Sequence, residues 1–129
     1  MADSPKPAPG QVAWIDLTVP NAEAVRDFYR QVTGWTASSV DMGGYADYCM
    51  SSASGRMVAG ICHARGVNAE LPPVWMVYIT VANLDEAMRL CVERGGKIRI
   101  PPKNVAGHDR YCVMGDPAGA LAALCEAKA

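Results

Sequence analysis

Asp16 is a carboxylate set inside an otherwise apolar run, "VAWIDLTV". An acid taken out of water needs a hydrogen-bond or charge partner, so Asp16 is either a satisfied structural residue or a functional one. Two histidines are available to work with it. His63 closes the run "MVAGICH", and His108 lies in "AGHDRY". An imidazole beside a carboxylate or thiol can move protons, and Asp16, Asp109 and Cys62 are the candidate neighbours. The plain alternative for each histidine is an exposed loop or strand end. Asp16, His63 and His108 are therefore the candidate catalytic groups, and Arg110 is a candidate cation for Asp16. Tyr45 and Tyr48 follow the turn "MGG" and are either site residues or half-buried sheet residues.

The thiols are Cys49, Cys62, Cys91, Cys112 and Cys125. Their number is odd and no pair has a zinc spacing, so they read as small buried hydrophobes in a reducing, cytoplasmic setting. Only Cys62 has a basic neighbour in sequence, His63, of the kind a reactive thiol needs.

Short elements must position these groups. The chain has 129 residues, a size that suits one domain or two half-domains sharing a core. A net charge of −1 with both signs scattered gives no nucleic-acid stripe and no membrane-binding face. No apolar run reaches the roughly 18 residues a membrane helix needs. Residues 1–10, "MADSPKPAPG", read as a flexible tail rather than a secretory signal.

From Val12 the chain repeats itself. "VAWIDLTVPN" and "VWMVYITVAN" align without a gap, and Val12/Val74, Thr18/Thr80, Val19/Val81, Asn21/Asn83 and Gly34/Gly96 fall at one constant offset. Each phrase reads as a β-branched strand ending at an Asn suited to cap a helix. Val25, Phe28, Tyr29 and Val32 then follow at helical spacing, as do Ala87, Leu90 and Cys91 in the second copy. Gly34 and Gly95-Gly96 close the helices. Three short strands follow each helix, at 35–41, 45–52 and 56–63, then at 97–102, 110–114 and 120–125, divided by Gly, Asn, Asp and Pro turns. The predicted order is βαβββ twice: 11–64, a linker at 65–73 with two prolines, and 74–127. The class is α+β. Each four-stranded sheet has a helix on one face and needs a partner for the other.

This double arrangement resembles the vicinal oxygen chelate superfamily of glyoxalase I, bleomycin-resistance proteins and extradiol dioxygenases. "LTVPNAEAVRDFYRQVTGW", "ITVANLDEAMRLCVERGGK" and the D-P-x-G turn in "MGDPAGALAAL" carry the resemblance, which spans residues 11–126. The small glyoxalase-like branch is the most similar. The resemblance implies one compact domain with a cupped mixed sheet, helices outside, and a central pocket. It also implies a divalent ion held by His, Gln or Glu from the first and last strands of each module. Matched residue by residue, those places fall on Trp14, Gly60, Met76 and Ala123. Hard divalent ions need oxygen and nitrogen donors, so the expectation is no metal and no cofactor.

Strand alternation from these places puts Trp14, Asp16, Cys62, Met76 and Tyr78 on the cup wall. With Tyr48 and Arg110 they form the predicted binding set for a small organic ligand. A closed core filled by Trp14 and Met76 is the opposing expectation. The implied function is a metal-free binding protein of the bleomycin-resistance kind. A metal-independent lyase or isomerase is the alternative, and a metal-dependent glyoxalase or dioxygenase comes third. The family also implies a homodimer, which would cover open strand edges.

Overall fold

The computed structural model describes residues 7–103 and 110–127. Its elements run β1 (Val12–Val19), α1 (Ala22–Thr33), β2 (Thr36–Asp41), β3 (Ala46–Ser51), β4 (Met57–His63), β5 (Trp75–Val81), α2 (Leu84–Glu93), β6 (Lys97–Lys103), β7 (Tyr111–Gly115) and β8 (Leu121–Glu126). The protein is α+β and repeats βαβββ, as its phrases require. A single 3-10 turn, Gly66–Asn68, stands in the segment between the copies.

Two compact units result. One is Trp14–Trp75; the other runs from Met76 and takes in the residues before Trp14. The end of the N-terminal tail is held in this second unit, where Gly10 N donates to Thr80 O at 2.7 Å and Thr80 N donates to Gln11 O at 2.9 Å.

In the first unit the strand order is β2-β3-β4-β1. β1 and β4 are parallel, while β2/β3 and β3/β4 are antiparallel hairpins. The parallel pair is what the intervening helix makes possible, because a crossover returns the chain in the same direction. Leu17, Val19, Ala22, Tyr48, Met50 and Ile61 form the buried core, with Val25, Tyr29 and Trp35 packed against it. This core is the α1 side of the sheet. Phe28 and Val32 share the helical spacing, yet they are 57% and 65% exposed. The stripe that α1 buries is the narrower one of Ala22, Val25 and Tyr29. Gly34 ends α1 at φ 78° and donates to Arg30 O, a left-handed cap that glycine adopts without strain.

In the second unit the order is β5-β8-β7-β6, again with one parallel pair, β5/β8. Leu84, Cys112 and Leu124 form its core, joined by Ile79, Val81, Ala87, Met88 and Met114. The D-P-x-G turn works through its first residue: Asp116 Oδ1 accepts from Ala118 N at 2.8 Å and Ala120 N at 3.0 Å. Gly96 is needed for space. A Cβ there would lie 2.6 Å from Cys91 Sγ and 2.8 Å from Gly115 O.

The two helix starts differ. Asn83 caps α2 as expected, its Oδ1 accepting from Glu86 N at 3.0 Å. Asn21 holds the same place before α1, but its side chain makes no capping bond. Its backbone sits at φ −110°, ψ 50°, outside the extended conformation that aims an Asn side chain at the first turn.

Candidate functional site

The sheet face of the first unit turned away from α1 gathers the residues that matter. Leu17 and Val19 pack on the helix side, so alternation sends Trp14, Asp16 and Thr18 to the other. Register extends the face across the sheet. Asp16 pairs with Gly60 and Thr18 with Cys62 on β4, Gly60 pairs with Cys49 on β3, and Cys49 pairs with Ser38 on β2.

At its centre, Trp14 Nε1–H donates to Asp16 Oδ1 at 2.6 Å. The two residues are half-buried neighbours along β1. Gly60 lies against this pair, and a Cβ on it would stand 2.2 Å from Asp16 Oδ1 and 3.3 Å from Trp14 Nε1. On this face the Trp14 indole is a hydrogen-bond partner of Asp16. Arg110, the cation offered from sequence, is engaged in the second unit, with Nη2 2.6 Å from Asp85 Oδ1 and Nη1 3.6 Å from Glu126 Oε1. There Glu126 Oε2 also accepts from Leu84 N at 2.9 Å, so this network holds the start of α2.

Two thiols flank Asp16. Burial, and then the Asp16 and Asp47 carboxylates, push the Cys62 thiol well above its ordinary range. Burial and the Asp16 charge push Cys49 the same way. Both sulfurs are held as neutral thiols, the opposite of what a nucleophile needs. Nothing in the sequence around Cys49 marks it, because only the hairpin register brings it beside Gly60.

His63 finds its acid partner elsewhere than the sequence offered. Asp47 Oδ1 accepts from His63 N at 2.8 Å and lies 3.3 Å from His63 Nδ1. The ring stands edge-on to Tyr45 at 5.7 Å and tilted to Tyr48 at 6.0 Å. Tyr48 itself belongs to the helix-side core, 7% exposed, with the Arg26 guanidinium 4.6 Å above its ring. Of the two alternatives for Tyr48, site residue or sheet residue, its packing under α1 is that of a sheet residue. His108 and Asp109 lie outside the described residues.

In the second unit, Met76 is buried, and Tyr78 lies on the sheet face away from α2, paired with Ala123 and 5.8 Å from the Tyr111 ring. Among the described residues no group of three His, Cys, Asp or Glu side chains is placed to hold a metal ion. No described helix is long and apolar enough to cross a membrane.

Two βαβββ modules, each with its parallel first and last strands, define the class, and comparison with known proteins fixes the family. Residues 11–124 match the model of the Glyoxalase/Bleomycin resistance protein/Dioxygenase superfamily, and the chain belongs to that superfamily. It is 33% identical over 129 residues to the anthracycline biosynthesis protein DnrV of Streptomyces peucetius, covering 91% of this chain and 47% of DnrV. It is 30% identical over 120 residues to CFP32 of Mycobacterium tuberculosis, covering 92% and 46%. The chain thus spans about half the length of the curated relatives it matches. Among solved structures, methylmalonyl-CoA epimerase from Mycobacterium tuberculosis superposes with a TM-score of 0.58 at 14% identity, covering 89% of this chain and 86% of that one. At that identity the likeness is one of fold.

Proposed function

We propose that this protein binds a small, planar organic molecule and does so without a divalent metal. The observation that carries the reading is the Trp14–Asp16 pair seated against Gly60. The family's metal ligands map onto Trp14, Gly60, Met76 and Ala123, an indole, a hydrogen, a thioether and a methyl group. That donor set does not fit Mg²⁺, Mn²⁺, Fe²⁺ or Zn²⁺. An aromatic wall with one carboxylate and neutral thiols suits a ligand held by stacking and a few hydrogen bonds. Trp14, Asp16 and Cys62 supply these in the first unit. Similarity to an anthracycline biosynthesis protein supports an organic small molecule as the ligand. The five free thiols suit a reducing cytoplasm. A homodimer, with an isologous interface, is part of the proposal.

A neutral fused-ring probe, 1,8-dihydroxyanthraquinone, tests the reading. It is expected to quench tryptophan fluorescence of the wild type with a saturable isotherm. Trp14→Ala is expected to weaken binding about fivefold or more, the scale of one aromatic pair. It should keep the wild-type melting temperature to within about 5 °C, since a fully packed Trp would cost about 3–5 kcal/mol on removal. One equivalent of Zn, Mn, Ni or Fe in protein purified without a histidine tag, lost on chelation together with binding, would overturn it.

A second reading, a metal-independent lyase or isomerase, draws on Asp16 as a half-buried carboxylate able to take a proton beside a carbonyl. Exchange of such a proton into D₂O, catalysed by the wild type and lost in Asp16→Asn, would establish it.

A further inference from the structure

We infer that Asp16 is a positioning residue whose Oδ1 fixes the Trp14 indole as a rigid stacking platform, and that Gly60 is a second positioning residue because its missing side chain leaves room for that bond. The inference rests on the reading that ligand stacks on Trp14, but the bond itself can be measured with no ligand present.

Three observations support it. The Nε1–H to Oδ1 distance is 2.6 Å, a close hydrogen bond between the two side chains. The contact joins residues two apart on one strand, where side chains point the same way, so the backbone already aims both groups across the same face. Gly60 is not among the glycines with positive φ, so conformational freedom does not explain it. What explains it is space: the missing Cβ would lie 2.2 Å from Asp16 Oδ1, 3.2 Å from Asp16 Cγ and 3.3 Å from Trp14 Nε1. A glycine in a strand interior gives up side-chain packing and chain entropy, which makes a close approach of other groups the natural reason for it.

The physical consequence is preorganisation. A tryptophan free to turn about its two side-chain torsions loses that freedom when a ring stacks on it. One already held by a hydrogen bond has lost it on folding, and the ligand gains the difference. The acceptor oxygen does this work, so an amide oxygen in the same place should serve.

The test reads the indole N–H resonances in a ¹⁵N correlation spectrum with hydrogen exchange, the Trp14 signal being assigned by its loss in Trp14→Phe. Trp75 Nε1–H, which donates to Tyr29 Oη at 3.0 Å, is the internal control. In the wild type and in Asp16→Asn the Trp14 signal is expected to exchange slowly. In Asp16→Val and in Gly60→Ala it is expected to move upfield and exchange fast, with the Trp75 signal unchanged. Affinity for 1,8-dihydroxyanthraquinone should fall about tenfold in the last two variants and stay within about threefold of wild type in Asp16→Asn. Slow Trp14 exchange in Asp16→Val or Gly60→Ala would overturn the inference. So would fast exchange in a folded Asp16→Asn. Should Asp16→Val not fold, Gly60→Ala and Asp16→Asn still decide it. A wild type that shows the expected exchange pattern but does not bind the probe would count against the ligand reading and leave the indole lock standing.

Discussion

Cys62 stands next to His63 in the chain, yet its charge environment is set by acids across the sheet. The imidazole turns to Asp47, and the sulfur is left among burial, Asp16 and Asp47. Each of these favours the neutral thiol. The pH consequence has a definite sign. In the unfolded chain a thiol titrates near about 8.5, and below that value both states keep the proton, so the contribution of Cys62 to stability is fully present. Above it the unfolded chain loses the proton while the folded chain keeps it, and stability is lost as pH rises towards the raised folded-state value. The melting temperature is expected to fall between about pH 8.5 and about pH 10.5, and Cys62→Ser to reduce that slope. Part of the slope should remain, because Cys49 and Cys112 shift in the same direction. A slope identical in the variant would show that Cys62 carries no such linkage. Alkylation by iodoacetamide near neutral pH should likewise be slower at Cys62 than at an exposed cysteine.

Among the elements, the two helices carry the same signals in sequence and use them differently. Asn83 caps α2 through Glu86 N, and Glu126 adds a second acceptor at Leu84 N. Asn21 precedes α1 with its side chain elsewhere. Asn83→Ala is therefore expected to cost about 1 kcal/mol in urea unfolding. Asn21→Ala should stay within about 0.5 kcal/mol of wild type, as surface changes away from a specific bond do. Equal losses would contradict the difference in their geometry. The apolar spacing of α1 likewise marked a helix correctly but overstated its buried face. Phe28 and Val32 keep the period while Ala22, Val25 and Tyr29 do the packing. Periodicity reports which residues share a side of a helix; the width of the contact depends on the sheet beneath it.

For the whole molecule, the decisive comparison is length. Relatives that align along nearly all of this chain are about twice as long. The homodimer of the proposal would pair two copies isologously and cover strand edges. Light scattering at micromolar concentration is expected to give a mass of about twice the 13.7 kDa chain. A mass of one chain would remove the homodimer from the proposal.

What the sequence determined by itself is local. The doubled phrase fixed the βαβββ order, and Gly34, Asn83 and the D-P-x-G turn fixed ends and corners, because each acts on residues within a few positions of itself. It also showed Trp14 and Asp16 on one face, since strand alternation needs no knowledge of the partner strand. Tertiary structure alone decided who meets whom across the sheet. Asp47 lies sixteen residues from His63 and reaches it only through the β3/β4 hairpin register. Gly60 comes under Asp16 only through the parallel pairing of β1 with β4. A shift of one residue in either register would turn the neighbouring side chains to the opposite face. That dependence on register is why Tyr48 packs on the helix side, and it is the helix α2, not a neighbouring strand, that supplies Asp85 to Arg110.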